Sequence, residues 1–316
     1  MSPATSLPAP EIFVRGHAVV GEGPVIDPRT NELLWVDIPA GVLSRTPLAA
    51  GGSATGSADG SADGSADGSA PGSASVVARV GMSLGAVAVR DRGGYVAAVG
   101  AGLGVIGAAG DGGPALTVVH PLLPEPDRRM NDAKCDPAGR FWAGSTTLGF
   151  PAGGGALHCW DPDGGVRTAL RGLDLPNGLG WSPDGSRFYL ADSVRRVVLT
   201  APYDPAAGRL GPLRELLRHD RRDGMPDGLC VDEDGCLWIA VWGAGEVRRH
   251  DPRGRLLAVL RLPVSQPSSC AFGPDGTLYV TSASDGLRPG AEPLAGSVFA
   301  LPGTAFRGVA VGTFAG

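Results

Sequence analysis

The chain has 316 residues, a formal net charge of −5 and an apolar content of 43%. The mild acidity and the lack of any Arg or Lys stripe argue against nucleic acid as a partner. No stretch approaches the roughly 18 consecutive apolar residues that a membrane span needs. Glycine is abundant at 51 residues and aromatics are only 6%, a composition suited to many short strands joined by tight turns.

In chain order, Met1–Pro10 has neither a basic start nor an apolar run, so no secretory leader is expected and a cytoplasmic location is. The five cysteines, Cys135, Cys159, Cys230, Cys236 and Cys270, are odd in number and lack zinc spacing, which predicts free structural thiols. Gly51–Ser75 is a Gly-Ser-Ala-Asp tract without large apolar side chains. It is expected to be a disordered surface insert. Lys134 is the sole lysine of the chain. The best helix candidate is short, Leu213–His219.

One pattern recurs along the chain: a turn rich in Asp, Pro and Gly, then a short apolar strand with an aromatic. It begins at Asp27, Arg90, Asp136, Ser182, Asp232 and Gly273, as in Asp136-Pro137-Ala138-Gly139-Arg140-Phe141-Trp142 and Gly273-Pro274-Asp275-Gly276-Thr277-Leu278-Tyr279. With the low-complexity tract set aside, the copies lie on the order of 40–50 residues apart, the period of a propeller blade. Hairpin partners follow, such as Ala156–Trp160 before Asp161-Pro162-Asp163-Gly164. The expectation is one domain over 1–316, an all-β six-bladed propeller with four antiparallel strands per blade. Two Gly-rich matches are set aside. Gly81–Gly85 fits a nucleophile elbow and Gly102–Gly107 a dinucleotide fingerprint, but neither is followed by a helix-forming segment.

Five positions before each turn stand Glu22, Gly85, Asn131, Asn177, Asp227 and Ser268. Equivalent positions of a propeller repeat share one height around the axis. Two carboxylates, two carboxamides and a hydroxyl therefore meet at one end of the central channel. Such an oxygen-rich ring with two negative charges suits a hard or borderline divalent cation and leaves room for water and substrate.

These residues sit in segments that resemble the senescence marker protein (regucalcin) and gluconolactonase family. The segments are Gly21-Glu22-Gly23-Pro24, Arg129-Met130-Asn131-Asp132-Ala133-Lys134, Pro176-Asn177-Gly178-Leu179, Pro226-Asp227-Gly228-Leu229 and Ser268-Ser269-Cys270-Ala271-Phe272-Gly273. The resemblance covers nearly the whole chain in family order. It implies a six-bladed propeller with metal ligands Glu22, Asn177 and Asp227, substrate contacts Arg129 and Asn131, and one calcium, zinc, manganese or magnesium ion. It also implies hydrolysis of a small lactone, expected to be of the sugar type. In that chemistry Asp227, a metal ligand, is expected to serve as general base as well. The chain departs from the family at Ser145–Phe150, where sugar-lactone members carry a substrate-binding Glu and this sequence has no acid. A promiscuous esterase or phosphotriesterase on the same metal, and a calcium-binding propeller without turnover, are the alternative readings. Asp132 and Lys134 are expected either to form a local ion pair or to support the ring. The expected assembly is a monomer or a weak homo-oligomer.

Overall fold

A computed structural model describes residues 5–48, 72–107 and 115–316. Six sheets stand around a central channel, each with its first strand innermost. The first blade comprises Gly21–Asp27, Glu32–Asp37, Val42–Pro47 and Ser75–Arg79. The second comprises Leu84–Val89, Tyr95–Val99, Gly102–Ile106 and Leu116–Pro121, and the third Arg128–Cys135, Phe141–Thr147, Gly155–Trp160 and Val166–Leu173. The fourth is built from Pro176–Trp181, Arg187–Asp192, Val197–Asp204 and Arg214–Arg218, and the fifth from Met225–Val231, Leu237–Trp242, Glu246–His250 and Leu256–Arg261. The sixth blade takes Pro267–Phe272, Leu278–Ser282 and Val298–Leu301 from the C-terminal end, and its outer strand, Glu11–Val14, from the N-terminal end.

The inner strands are largely buried on both faces because each is sandwiched between neighbouring blades. Apolar residues cluster at every blade-to-blade seam: Leu34, Val36 and Val87 at the first, Met130, Phe141 and Ala86 at the second, Trp142, Leu157 and Phe188 at the third. Tyr189 with Leu237 fills the fourth, Trp238 with Phe299 the fifth, and Trp35 with Tyr279 the sixth. Burial is thus distributed around the ring.

The recurrent turn is the joint between the first and second strand of a blade. Gly139, Gly185, Gly235 and Gly276 adopt φ of 79°, 68°, 79° and 86°, a left-handed conformation that a Cβ would strain, and this explains glycine at the same turn position. These turns gather at the end of the channel opposite the ring positions, where an Asp at the first turn position anchors an aromatic side chain. Asp136 accepts from Ala138 N at 2.9 Å, Arg140 N at 2.9 Å, Trp142 Nε1 at 3.2 Å and the Tyr203 hydroxyl. Asp232 likewise accepts from Cys236 N at 2.8 Å, Trp238 Nε1 at 2.9 Å and Arg249 Nε at 2.7 Å.

The C-terminal residues cross this same end as a strap. Val309 N donates to Val231 O at 2.9 Å in the fifth blade, and Phe314 N donates to Val89 O at 2.7 Å in the second. The segment between closes a mainly apolar cavity of about 340 Å³, lined by Val87, Ala133, Lys134 and Val231 among others.

Two expectations need correction. Residues 214–218 are a strand, not a helix: Val197–Thr200 offers an open edge, and the ladder satisfies the backbone of Arg214–Arg218. The insert expected over Gly51–Ser75 lies outside the described residues as far as 71, but Gly72 N donates to Phe13 O at 2.7 Å and Ser75 opens a strand. The low-complexity composition runs past the point where the fourth strand of the first blade begins. All five cysteines are free and buried, as expected. No helix among the described residues is long and apolar enough to cross a membrane.

Candidate functional site

Each inner strand breaks its ladder at the ring position. The register shifts between Glu22 and Val25, Leu84 and Ala86, Met130 and Ala133, Pro176 and Leu179, Pro226 and Leu229, and Pro267 and Ser269. A bulge turns a side chain out of the ordinary in-and-out alternation and raises local twist, which suits a site residue at a strand end.

The six bulges touch one another in a closed circuit. Ser268 Oγ donates to Gly21 O at 2.5 Å. A Cβ on Gly23 would stand 3.5 Å from Ala86, and one on Gly85 would stand 2.3 Å from Asn131 O, so the second blade contributes backbone alone at its ring position. Asn131 Nδ2 donates to Pro176 O at 2.9 Å. Asn177 Nδ2 donates to Asp227 Oδ1 and to Ser193 Oγ, the latter at 3.2 Å. Gly228 packs against Ser269 so closely that a Cβ there would fall 2.0 Å from Ser269 Oγ.

Glu22, Asn131, Asn177 and Asp227 are all buried, and Arg129 is half-buried. Arg129 Nη1 donates to Asn131 Oδ1 at 2.6 Å and to Met130 O at 3.0 Å. Burial holds the Glu22 carboxyl well above the usual carboxylate range, and the charges of Asp227 and Asp132 push it the same way. Burial and the charge of Asp132 also raise Asp227, against opposing pulls from the Asn177 amide and Arg129. Asp132 is raised by burial, with Lys134 opposing. Burial lowers the Arg129 guanidinium, with Glu22 and Asp227 opposing. Three buried acids thus share one region, and the ion pairs within 4.0 Å found among the described residues involve none of them.

The local Asp132–Lys134 ion pair is not formed. Lys134 Nζ instead donates to Leu229 O at 2.7 Å, reaching the fifth blade from the third. Both side chains lie on one side of the strand and line the cavity under the ring. Residue periodicity alone could not foresee this bond, because it joins the third blade to the fifth, which are not neighbours in the ring.

The donor set fits a hard or borderline cation. Among the described residues no group of three or more His, Cys, Asp and Glu is placed to hold an ion, so a histidine- or thiolate-rich centre is not built here. What the ring offers is the Glu22 and Asp227 carboxylates and the Asn177 carboxamide. Mutually repelling buried acids are the environment that a divalent ion relieves. Asn177 turns its amide nitrogen onto Asp227, so holding a cation requires a half-turn of this carboxamide to present its oxygen. Ser193 was not among the sequence candidates, whereas Asp132 was expected beside the ring. Ser193 follows the second strand of its blade, out of phase with the repeat position, and only the fold brings it beside Asn177.

The profile of the SMP-30/gluconolactonase/LRE-like region matches residues 20–284. The chain is 32% identical to regucalcin from Homo sapiens over 309 residues, 94% of this chain and 95% of the relative. A solved regucalcin from Agrobacterium tumefaciens, described as a calcium-binding protein, superposes with a TM-score of 0.83 at 26% identity, covering 99% of both chains. A gluconolactonase from Xanthomonas campestris shares the fold with a TM-score of 0.67 at 21% identity, covering 95% of this chain and 97% of its own. A match over most of the chain, at this identity and with the same six-bladed fold, shows that the chain belongs to the SMP-30/gluconolactonase/LRE-like family.

Proposed function

We propose that the protein is a divalent-metal-dependent hydrolase that opens a small lactone to its hydroxy acid, the sugar-type ring being the substrate that the family resemblance implies. The observation carrying this reading is the group of buried, mutually repelling carboxylates at the channel mouth, beside a carboxamide and a guanidinium. Glu22, Asn177 and Asp227 would hold the ion, and a bound cation supplies polarisation of the ester carbonyl and stabilisation of negative charge on its oxygen. Arg129, fixed by Asn131, offers its remaining N–H donors to the oxygens of the substrate. Asn131 anchors that arginine while its own amide grips Pro176 O. Asp227 takes a proton from the attacking water and returns it to the departing ring oxygen.

The names of the relatives support lactone hydrolysis in one case and calcium binding in another, and turnover separates the two. The purified protein should release acid from lactones, detected with a pH indicator. Exhaustive EDTA treatment should abolish the release, and a divalent ion should restore it. Full activity in protein shown by mass spectrometry to be metal-free would overturn the metal-dependent reading. Metal binding without acid release from any lactone would favour the binding module.

A further inference from the structure

The inner strands start at the ring and the second strands return to it. The loops after the second strands, and the connections between blades, therefore stand around the same mouth. Five of the ten exposed large apolar residues lie on these segments: Val19, Met82, Leu148, Phe150 and Val194. At the opposite end the recurrent turns carry none among the described residues, while Val311 on the strap and Leu256, just past the Asp251–Gly254 turn, are exposed there.

Leu148 and Phe150 are tied to the site by the ladder. Arg129 pairs with Thr146 and Arg128 with Thr147, and Leu148 N donates to Asp127 O at 2.7 Å. The loop with these two apolar side chains thus begins two residues beyond the ladder partner of the proposed substrate arginine. Leu148 is 55% exposed and Phe150 37%. Phe150 has φ of 53°, a conformation that bulky side chains rarely adopt, with its N donating to Thr147 O at 3.0 Å. Among the described non-glycine residues only Asn31 and Arg196 share a positive φ with Phe150, and strain of this kind gathers at functional sites.

The hydroxyls of the same stretch are already engaged. Thr146 Oγ1 donates to Asp174 O at 2.9 Å, Thr147 Oγ1 donates to Gly154 O at 3.1 Å, and Ser145 Oγ lies 2.9 Å from His158 Nε2. With no acid between Ser145 and Phe150 and these hydroxyls already engaged, this stretch itself offers no free carboxylate or hydroxyl to a polyhydroxylated chain.

We propose that the preferred substrate is an apolar lactone, an alkyl- or aryl-substituted cyclic ester whose substituent rests on Leu148 and Phe150, in preference to an aldonolactone. This rests on the reading of the ring as a lactonase site. The oxygen of water bonds to the carbonyl carbon, the acyl–oxygen bond of the ring breaks, and the proton lost by water passes to the freed ring oxygen. The product is an apolar hydroxy acid.

The test compares kcat/KM for δ-decalactone, dihydrocoumarin and glucono-δ-lactone on the metal-loaded full chain. The two apolar lactones should exceed the sugar lactone by at least about 10-fold, the usual discrimination from one or two buried methylenes. Leu148→Glu should move the apolar-to-sugar ratio toward the sugar by about 10-fold, chiefly through KM. Phe150→Gly, which relieves the positive φ and so protects folding, should move it the same way. Preference of the native chain for glucono-δ-lactone, or an unchanged ratio in both variants, overturns the inference while leaving the lactonase reading intact. Failure to turn over all three substrates with calcium, zinc, manganese and magnesium overturns both.

Discussion

The two ends of the propeller treat buried carboxylates in opposite ways. At the turn end Asp27, Asp136 and Asp232 are buried and each is matched by an arginine and an aromatic hydroxyl or indole N–H: Asp27 by Arg29 and Tyr95, Asp136 by Arg140 and Trp142, Asp232 by Arg249 and Trp238. Burial alone would raise Asp27, yet its bonds from Arg29 outweigh that and bring it below the usual value. At the ring, Glu22 and Asp227, with Asp132 just beneath them, are equally buried, lack such partners and repel one another. A buried acid with all its acceptors filled holds the fold; a set of acids left unmatched costs stability and persists where a ligand or a reaction uses it.

The largest expected effect breaks the mouth chemically. Asp227→Asn keeps an oxygen ligand of similar size and removes the base, so kcat should fall at least about 10²-fold while metal affinity stays measurable. Asn177→Ala should act first on metal affinity, with activity partly rescued by excess ion, because loss of a ligand is a mass-action defect. Titrating both variants with metal in the turnover assay separates the roles. Equal rescue of both would reduce Asp227 to a ligand.

At the turn end the same kind of substitution should act on folding alone. Asp232→Ala leaves Arg249 and the Trp238 indole without their buried acceptor, and a loss of roughly 3–5 kcal/mol is expected. Chemical denaturation measures it, and kcat per folded molecule should change little. A stability loss below about 1 kcal/mol would erase the contrast between the ends.

Glu22→Gln supplies the smaller and more diagnostic measurement. A carboxyl whose folded pKa is raised favours the fold below its unfolded pKa and loses that contribution as pH rises. At neutral pH the charged Glu22 therefore opposes folding of the metal-free protein. Metal-free Glu22→Gln should melt above the native chain at pH 7–8, by an amount on the order of 1 kcal/mol, and the advantage should vanish near pH 4. With metal added, the order should invert. A variant less stable than the native chain without metal would show that Glu22 is structural.

The smallest effect is expected from the low-complexity tract. Deleting residues 51–71 shortens a connection between two strands of one hairpin, and closure entropy changes slowly with loop length. Melting temperature and turnover should stay within a few degrees and about twofold. A larger change would place the tract in contact with the propeller or the mouth.

Much of this contrast was legible in the residues. The phase of six turns identified both the blades and the ring, because a propeller repeats its geometry with its sequence and Glu22, Asn131, Asn177 and Asp227 share one register. Legibility ended where a contact falls out of phase with the repeat. Ser193 beside Asn177 within the fourth blade, and Lys134 reaching from the third blade to the Leu229 carbonyl of the fifth, are contacts that a repeat pattern does not report. Arg214–Arg218 misled for the complementary reason: a local run suited to a helix was claimed by the open edge of Val197–Thr200. The exposed Leu148 and Phe150 fell in the stretch noted for its missing acid, but only the ladder from Arg129 to Thr146 tied them to the mouth.

The outer strand of the sixth blade, Glu11–Val14, meets Val298–Leu301 at the far end of the chain. On a ribosome adding about 5–20 residues per second, the first of these segments waits tens of seconds for the second. Through that interval Ile12 and Val14 have no ladder partner, and the growing protein is an open arc with an unpaired edge at each end. Such edges invite pairing with another nascent chain. Pairing of Glu11–Val14 with Val298–Leu301 thus closes the ring within one chain and removes the edges through which two chains could exchange strands.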